Sequence, residues 1–305
     1  MKRFIFSGAA LIVLALTAQA QRPDTARVLI HYKFMQIRDT TDRAHPYTEN
    51  MALFVGKNAS AYKSYDGIAA NERFRKAWAV AAASSPDGQP RINRSGAGSR
   101  TQYYQYPNAK KFLTKDNLAM NEYLIEGPMP AISWQISTDT ASFGGLHCQK
   151  ATGHFKGRDY IAWFCPDLPL PAGPWKLNGL PGVIVDAHDT RNEVNFQFDG
   201  VEKVVFAEVK PIGGAGVAEK DLPPILRGLD DNPNLITPPA SVIKATQKEF
   251  DELKVAIQKN PNAVSQAMVA GNRAAGVKTD GIRIMTGPGS RGPVTNNPIE
   301  LPEKK

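Results

Sequence analysis

The chain has 305 residues, with 37 Lys and Arg against 29 Asp and Glu, a formal net charge of +8 and two cysteines. The basic excess is mild, and before the C-terminal end no run of Lys or Arg exceeds a pair such as Lys110-Lys111. The charge therefore leaves no nucleic-acid footprint. The length allows one large domain or one and a half.

Met1 to Ala20 has the form of a secretory signal. Lys2 and Arg3 supply the positive end, Ala9 to Leu16 the apolar stretch, and Ala18-Gln19-Ala20 a small-x-small cleavage site. Cleavage after Ala20 leaves Gln21 first and predicts an exported product, periplasmic or secreted. An apolar stretch this short does not span a bilayer, which needs about 20 residues, and no later segment approaches that length.

Val28, Ile30, Tyr32 and Phe34 alternate with His31 and Lys33, the pattern of a half-buried strand. Met51 to Val55 and Ala61 to Asp66 predict two more. Polar turns between them favour an antiparallel meander, because parallel neighbours need long crossovers. From Ile68 to Ala83 the period becomes helical, with Ala70, Phe74, Ala77, Trp78 and Ala81 on one stripe that predicts a helix packed on the sheet. Ser84 to Arg100 is a predicted mobile insertion rich in Ser, Gly, Pro and Asn. A strand-rich section follows, through Tyr103, Tyr104 and Tyr106, Asn117 to Glu126, Ile132 to Ser137, Gly145 to Phe155, Arg158 to Cys165, Val183 to His188 and Val194 to Phe198.

Lys156-Gly157 sits between two alternating runs as a two-residue hairpin turn. Facing Phe155 with Arg158 and carrying the pairing outward sets Cys148 opposite Cys165, at a non-hydrogen-bonded pair with Cα atoms about 4.5 Å apart. A cross-strand disulfide fits there and is favoured in an oxidising compartment. The alternative is a pair of buried free thiols offset by a bulge.

Gly173 to Gly182 carries two turn codes in ten residues. Asn178-Gly179 suits a type I′ turn and Pro181-Gly182 a type II turn. The expectation is a rigid loop in which Pro174, Trp175, Leu177, Gly179, Leu180, Pro181 and Gly182 line a ligand cleft or dock a partner. The alternative places these apolar side chains in the core. Gly213 to Asn234 is a second predicted mobile insertion. Thr246-Gln247-Lys248-Glu249 has capping-box form and predicts a helix whose buried face is Phe250, Leu253, Ala256 and Ile257, ending at Asn260-Pro261. A short helix over Asn262 to Ala275 is an option. From residue 266 the chain is read as a mostly disordered tail.

The loop also carries Gly179-Leu180-Pro181-Gly182-Val183-Ile184, which resembles the signature of the GLPGLI family of Bacteroidota exported proteins, with Val183 in place of its second Leu. In matching order stand Trp134-Gln135-Ile136, Cys148-Gln149-Lys150-Ala151, Phe155 to Arg158, Ala162-Trp163-Phe164 and Leu168 to Pro171. The strong part of the resemblance runs from Trp134 to Gly182. Cys165 stands where that pattern is usually polar, which makes the disulfide particular to this chain. The family has no established activity, so the resemblance implies export and supplies no catalytic residues.

These readings combine into a single α+β, β-rich domain over 21–265, with an antiparallel, curved sheet and one or two packing helices. The chain has no Gly-x-Ser-x-Gly elbow, His-Glu-x-x-His or phosphate loop. Of five histidines, His147 and His154 fall on opposite faces of one strand and cannot share a ligand. The expected function is an exported binding or accessory protein, without cofactor or metal, for a small hydrophobic ligand or a cell-envelope protein. The alternative is a periplasmic hydrolase using His188 and Asp186.

Overall fold

The structure, a computed structural model, describes residues 23–85, 92, 98–118, 121–205, 209, 211–212, 222, 226, 228–229, 231–239, 242–260 and 295–303. The expected signal segment, most of the 84–100 insertion and the optional helix over 262–275 lie outside the described residues.

Among the described residues, fourteen strands and two α-helices follow in chain order. They are β1 (Asp24–Thr25), β2 (Val28–Gln36), β3 (Tyr47–Val55), β4 (Ser60–Ser64), α1 (Tyr65–Ser84), β5 (Gln102–Tyr106), β6 (Lys111–Leu118) and β7 (Asn121–Pro128). After these come β8 (Ser133–Phe143), β9 (Leu146–Phe155), β10 (Arg158–Cys165), β11 (Val183–Asp189), β12 (Val194–Lys203), β13 (Leu235–Ile236), β14 (Ile243–Ala245) and α2 (Gln247–Lys259). Twelve strands form one open sheet in the order β14-β7-β6-β5-β4-β3-β2-β12-β11-β10-β9-β8, while β1 pairs with β13. The architecture is α+β and β-rich. Every pair in the large sheet is antiparallel except β14 with β7, which run parallel.

Alternation sorts side chains onto two faces. Leu29, Phe54, Ala61, Tyr104 and Leu113 are successive cross-strand partners on one face, with Ile236 and Ile68 packed beside them. Their sequence neighbours Ile30, Leu53 and Tyr62 belong to the other face, the larger core, which continues through Phe196, Ala187, Ala162 and Ala151. A Cβ built on Gly144, in the β8–β9 turn, would lie 2.8 Å from Val201 Cγ1 and 3.0 Å from Phe198 Cζ, both on β12. In a flat sheet β9 and β12 stand roughly 14 Å apart, so the contact shows that this end of the sheet is strongly curved.

Four expectations need correction. Phe74 and Trp78 do not pack α1 onto the sheet; they form a separate cluster with Leu222, Leu226 and Leu229, and Arg75 donates to the Leu229 carbonyl. The described residues of the supposed 213–234 insertion are therefore part of a core, because a leucine every three or four residues meets the apolar stripe of α1. Part of the expected 266–305 tail is the third: residues 295–303 lie on the body, with Asn297 only 4% exposed, while 266–294 lie outside the described residues. The run read as one strand over 117–126 is the β6–β7 hairpin.

Candidate functional site

The loop after β10 lies against the larger core face. Trp175, Leu177 and Leu180 are 2%, 0% and 1% exposed, so the side chains expected to form a reading surface instead fill the core. The Trp175 indole stacks at 15° on Phe196 and meets Phe155 edge-on. Pro174 and Gly182 are also buried, leaving Gly179 and Pro181 exposed at the tip. Burying a leucine side chain contributes roughly 1.5–3 kcal/mol, reason enough for the loop to turn inward.

The turns differ from their sequence codes. The Leu177 N–H reaches the Pro174 carbonyl at 3.0 Å, closing a turn in which Trp175 itself takes φ 52°. The Gly182 N–H reaches the Leu180 carbonyl at 2.8 Å, a three-residue γ-turn around Pro181 rather than a type II turn. Gly182 is required by proximity: a Cβ there would stand 2.3 Å from the Cys165 carbonyl oxygen. Gln105 of β5, 1% exposed, anchors the loop. Its Nε2 donates to the carbonyls of Gly173 (3.0 Å), Trp175 (3.2 Å) and Leu177 (3.3 Å), and its Oε1 accepts from the Gly173 N–H. No spacing rule marks Gln105 in the sequence. Trp134 donates its indole N–H to the Asn178 carbonyl and closes the loop's other end.

A surface with ligand-binding capacity lies on the opposite face of the sheet. Thr48, Met35, Asn195, His188 and Ile161 are successive cross-strand partners over five strands. Two residues along, Asn50, Lys33 and Gln197 are aligned likewise, as are Asp186 and Trp163. Cross-strand partners share a face, and strands stand about 4.8 Å apart. The two rows thus form a shelf on the order of 19 Å long. At its β3 end lies an open cleft of about 450 Å³, bordered by Asp66 at the start of α1. A second cleft of about 340 Å³ lies between β6, β7 and the start of α2. Neither is lined by a residue of the 173–182 loop.

Polar groups on the shelf divide by whether the fold uses them. Asp66 accepts from the Asn50 backbone and side-chain N–H groups at 2.9 and 3.0 Å, and Lys33 pairs with Asp199 at 2.7 Å. The side chains of Thr48, Asn195 and Gln197 make no hydrogen bond among the described residues. Asp186 serves the fold. Where β11 and β12 separate beyond the Ala187–Phe196 pair, its Oδ2 accepts the Phe198 N–H at 2.8 Å. Burial pushes its carboxyl above the ordinary range, opposed by that N–H and by His188. His188 Nδ1 stands 4.0 Å from Asp186 Oδ1, beyond hydrogen-bond reach. The two side chains are therefore not hydrogen-bonded to each other in this arrangement. Among the described residues no cluster of three or more His, Cys, Asp or Glu could hold a metal ion, and no helix is long and apolar enough to cross a membrane.

The disulfide joins Cys148 and Cys165, with Cα atoms 4.1 Å apart, one step beyond the Gln149–Phe164 pair of the β9–β10 ladder. Lys156 and Gly157 both take positive φ, 52° and 69°, as the hairpin turn requires.

No family model matches the chain, and no curated protein does. Among solved structures, the chain is similar to PNGF-II in its P21 crystal form, with 8% identity and a TM-score of 0.47. For the C2 form of the same protein the values are 9% and 0.46. Each match covers 74% of this chain and 32% of the other, so the chain spans about a third of the length of the structures it matches.

Proposed function

We propose that the chain is an exported binding protein of the GLPGLI type whose ligand site is the polar shelf, and that the ligand is hydroxyl-rich, of the carbohydrate class. One observation carries the reading: Thr48 of β3 and Asn195 and Gln197 of β12, on either side of β2, face one side of the sheet with no hydrogen bond to the described residues. An amide offers donors and acceptors together and a hydroxyl offers both on one atom, which suits ligands whose neighbouring hydroxyls also do both. Trp163, half-buried at the far end of the shelf with the Phe143 ring tilted against it at 5.8 Å, adds an aromatic edge for the C–H side of a sugar. Export rests on the signal-like residues Met1 to Ala20 and on the family-like run from Trp134 to Gly182, and a disulfide is compatible with it.

The shelf takes precedence over a hydrophobic cargo beside Trp175, because the indole already packs on Phe196 and Phe155. The test is an oligosaccharide array followed by calorimetric titration of the best binder. Saturable binding is expected, weakened at least tenfold in Asn195→Ala/Gln197→Ala with the melting temperature unchanged, since neither side chain supports the fold. Absence of binding across the array, or binding indifferent to the double substitution, would overturn the proposal.

A further inference from the structure

Residues 295–303 run across the strand ends and are held by one buried cation. Arg158, the first residue of β10, has a side chain 0% exposed. A guanidinium carries five N–H donors, and here they meet five partners. Nη1 donates to Asp189 Oδ2 at 2.6 Å, at the end of β11, and to Glu193 Oε2 at 3.2 Å, just before β12. Nη2 donates to Asn297 Oδ1 at 2.7 Å and the Pro298 carbonyl at 2.8 Å, and Nε to the Ile299 carbonyl at 2.9 Å. The carboxylates supply the compensating charge, and the segment supplies only neutral acceptors.

The contacts beyond Arg158 read a peptide in order. Asn297 donates its Nδ2 to the Ile37 carbonyl and to Glu193 Oε2, its backbone N–H goes to the Arg38 carbonyl, and its own carbonyl accepts from Gln36 Nε2. Ile299 packs against the larger core, and the Leu301 N–H reaches the Lys156 carbonyl at 2.9 Å. Glu300 pairs with Lys176 and Lys156, and Glu303 with His154. Pro298 and Pro302 suit an extended backbone with few N–H groups to satisfy. Without the segment three of the five guanidinium contacts, those of Nε and Nη2, would pass to water or to another carbonyl-bearing occupant.

We propose that this groove is a peptide-recognition site for extended acidic segments of the form Asn-Pro-apolar-Glu-apolar-Pro-Glu. Residues 297–303 are its resident ligand, and the site exchanges them for a free peptide of the same sequence. The Asn297 side chain gives the specificity, because Arg158, the Ile37 carbonyl and Glu193 meet its oxygen and nitrogen, while the carbonyls of residues 298 and 299 fix the backbone position. The two glutamates are steered by Lys156, Lys176 and His154 at the rim. The proposal is independent of the shelf, which uses other residues.

The test uses the full chain carrying Ile299→Asp and Leu301→Asp, which loosens the resident segment without altering the groove. A labelled peptide of residues 295–303 is titrated and its fluorescence anisotropy followed. The double variant should bind it saturably and at least tenfold more tightly than the unaltered chain, whose own segment competes. A peptide carrying Asn297→Ala should bind at least tenfold more weakly than its parent. Equal binding by the two peptides, or binding by the folded double variant no better than by the unaltered chain, would overturn the proposal. So would loss of the fold in the double variant by circular dichroism, which would make the segment an integral core piece rather than a ligand.

Discussion

At the scale of single residues, the 173–182 run shows what turn chemistry reveals and what it omits. Pro and Gly mark where the chain bends, and so the presence of a built loop was legible. The direction of its side chains was not, because it depends on Trp175 taking φ 52°, uncommon for a bulky residue, and on Gln105 arriving from a distant strand. In Gln102-Tyr103-Tyr104-Gln105-Tyr106 nothing separates Gln105 from a surface polar residue, yet it is 1% exposed and bonded four times to the loop backbone. Gln105→Leu keeps the volume but orphans three buried carbonyls and one N–H. At about 1–3 kcal/mol for each unsatisfied buried group, offset in part by relaxation, the expected loss is on the order of 3 kcal/mol. Urea unfolding of the variant reads this from its midpoint; a midpoint matching the unaltered chain would mean that the loop holds itself in place.

At the scale of elements, strands bounded by strong punctuation were legible and those without it were not. The β9–β10 hairpin follows from Lys156-Gly157 and from alternation that brings Cys148 opposite Cys165, and its bounds agree closely with the structure. The β6–β7 hairpin merged into one expected strand because no Gly or Pro code separates residue 118 from residue 121. Helix α2 was found by its capping box, in which the Thr246 hydroxyl accepts the Glu249 N–H and the Glu249 carboxylate accepts the Thr246 N–H. The disulfide ties β9 to β10 across a sequence separation of 17, where loop-closure entropy predicts about 3 kcal/mol of stabilisation. For a domain of this size that corresponds to roughly 6–12 °C in melting temperature. Calorimetry of Cys148→Ser/Cys165→Ser against the oxidised chain measures it, and a difference below about 2 °C would show that the ladder alone fixes the hairpin.

At the scale of the whole molecule, the largest departure from sequence expectation is the segment 295–303. Its two prolines and two glutamates carry no helical or strand period, so composition reads as unstructured chain. What orders it is complementarity with Arg158, 139 residues away from Asn297, and pairing at that distance leaves no trace in local pattern. The far end is fastened by a titratable group. His154 Nδ1 stands 2.6 Å from Asp159 Oδ1, and its Nε2 is 2.7 Å from Glu303 Oε2. Hydrogen bonds to Asp159 first, then to Glu303, raise the imidazole above its ordinary 6.5. The bond to His154 first, and the Gly157 N–H in support, hold Glu303 below its ordinary 4.5. A raised histidine contributes stability that is complete below its unfolded value near 6.5 and is lost as pH rises through the folded value. A lowered glutamate contributes stability that is present above 4.5 and is lost as pH falls through its own folded value. Attachment of this end should therefore be strongest between the two and weaken as pH rises above 6.5. Because the groups are largely exposed, the effect should also shrink with added salt. Hydrogen exchange of the Gly157 and Leu301 amides, followed from about pH 5.5 to about pH 8.5 and corrected for intrinsic rates, should show protection falling through the upper half of that range. The fall should be absent in His154→Gln, and a pH profile that His154→Gln leaves unchanged would assign the fastening to Arg158 alone.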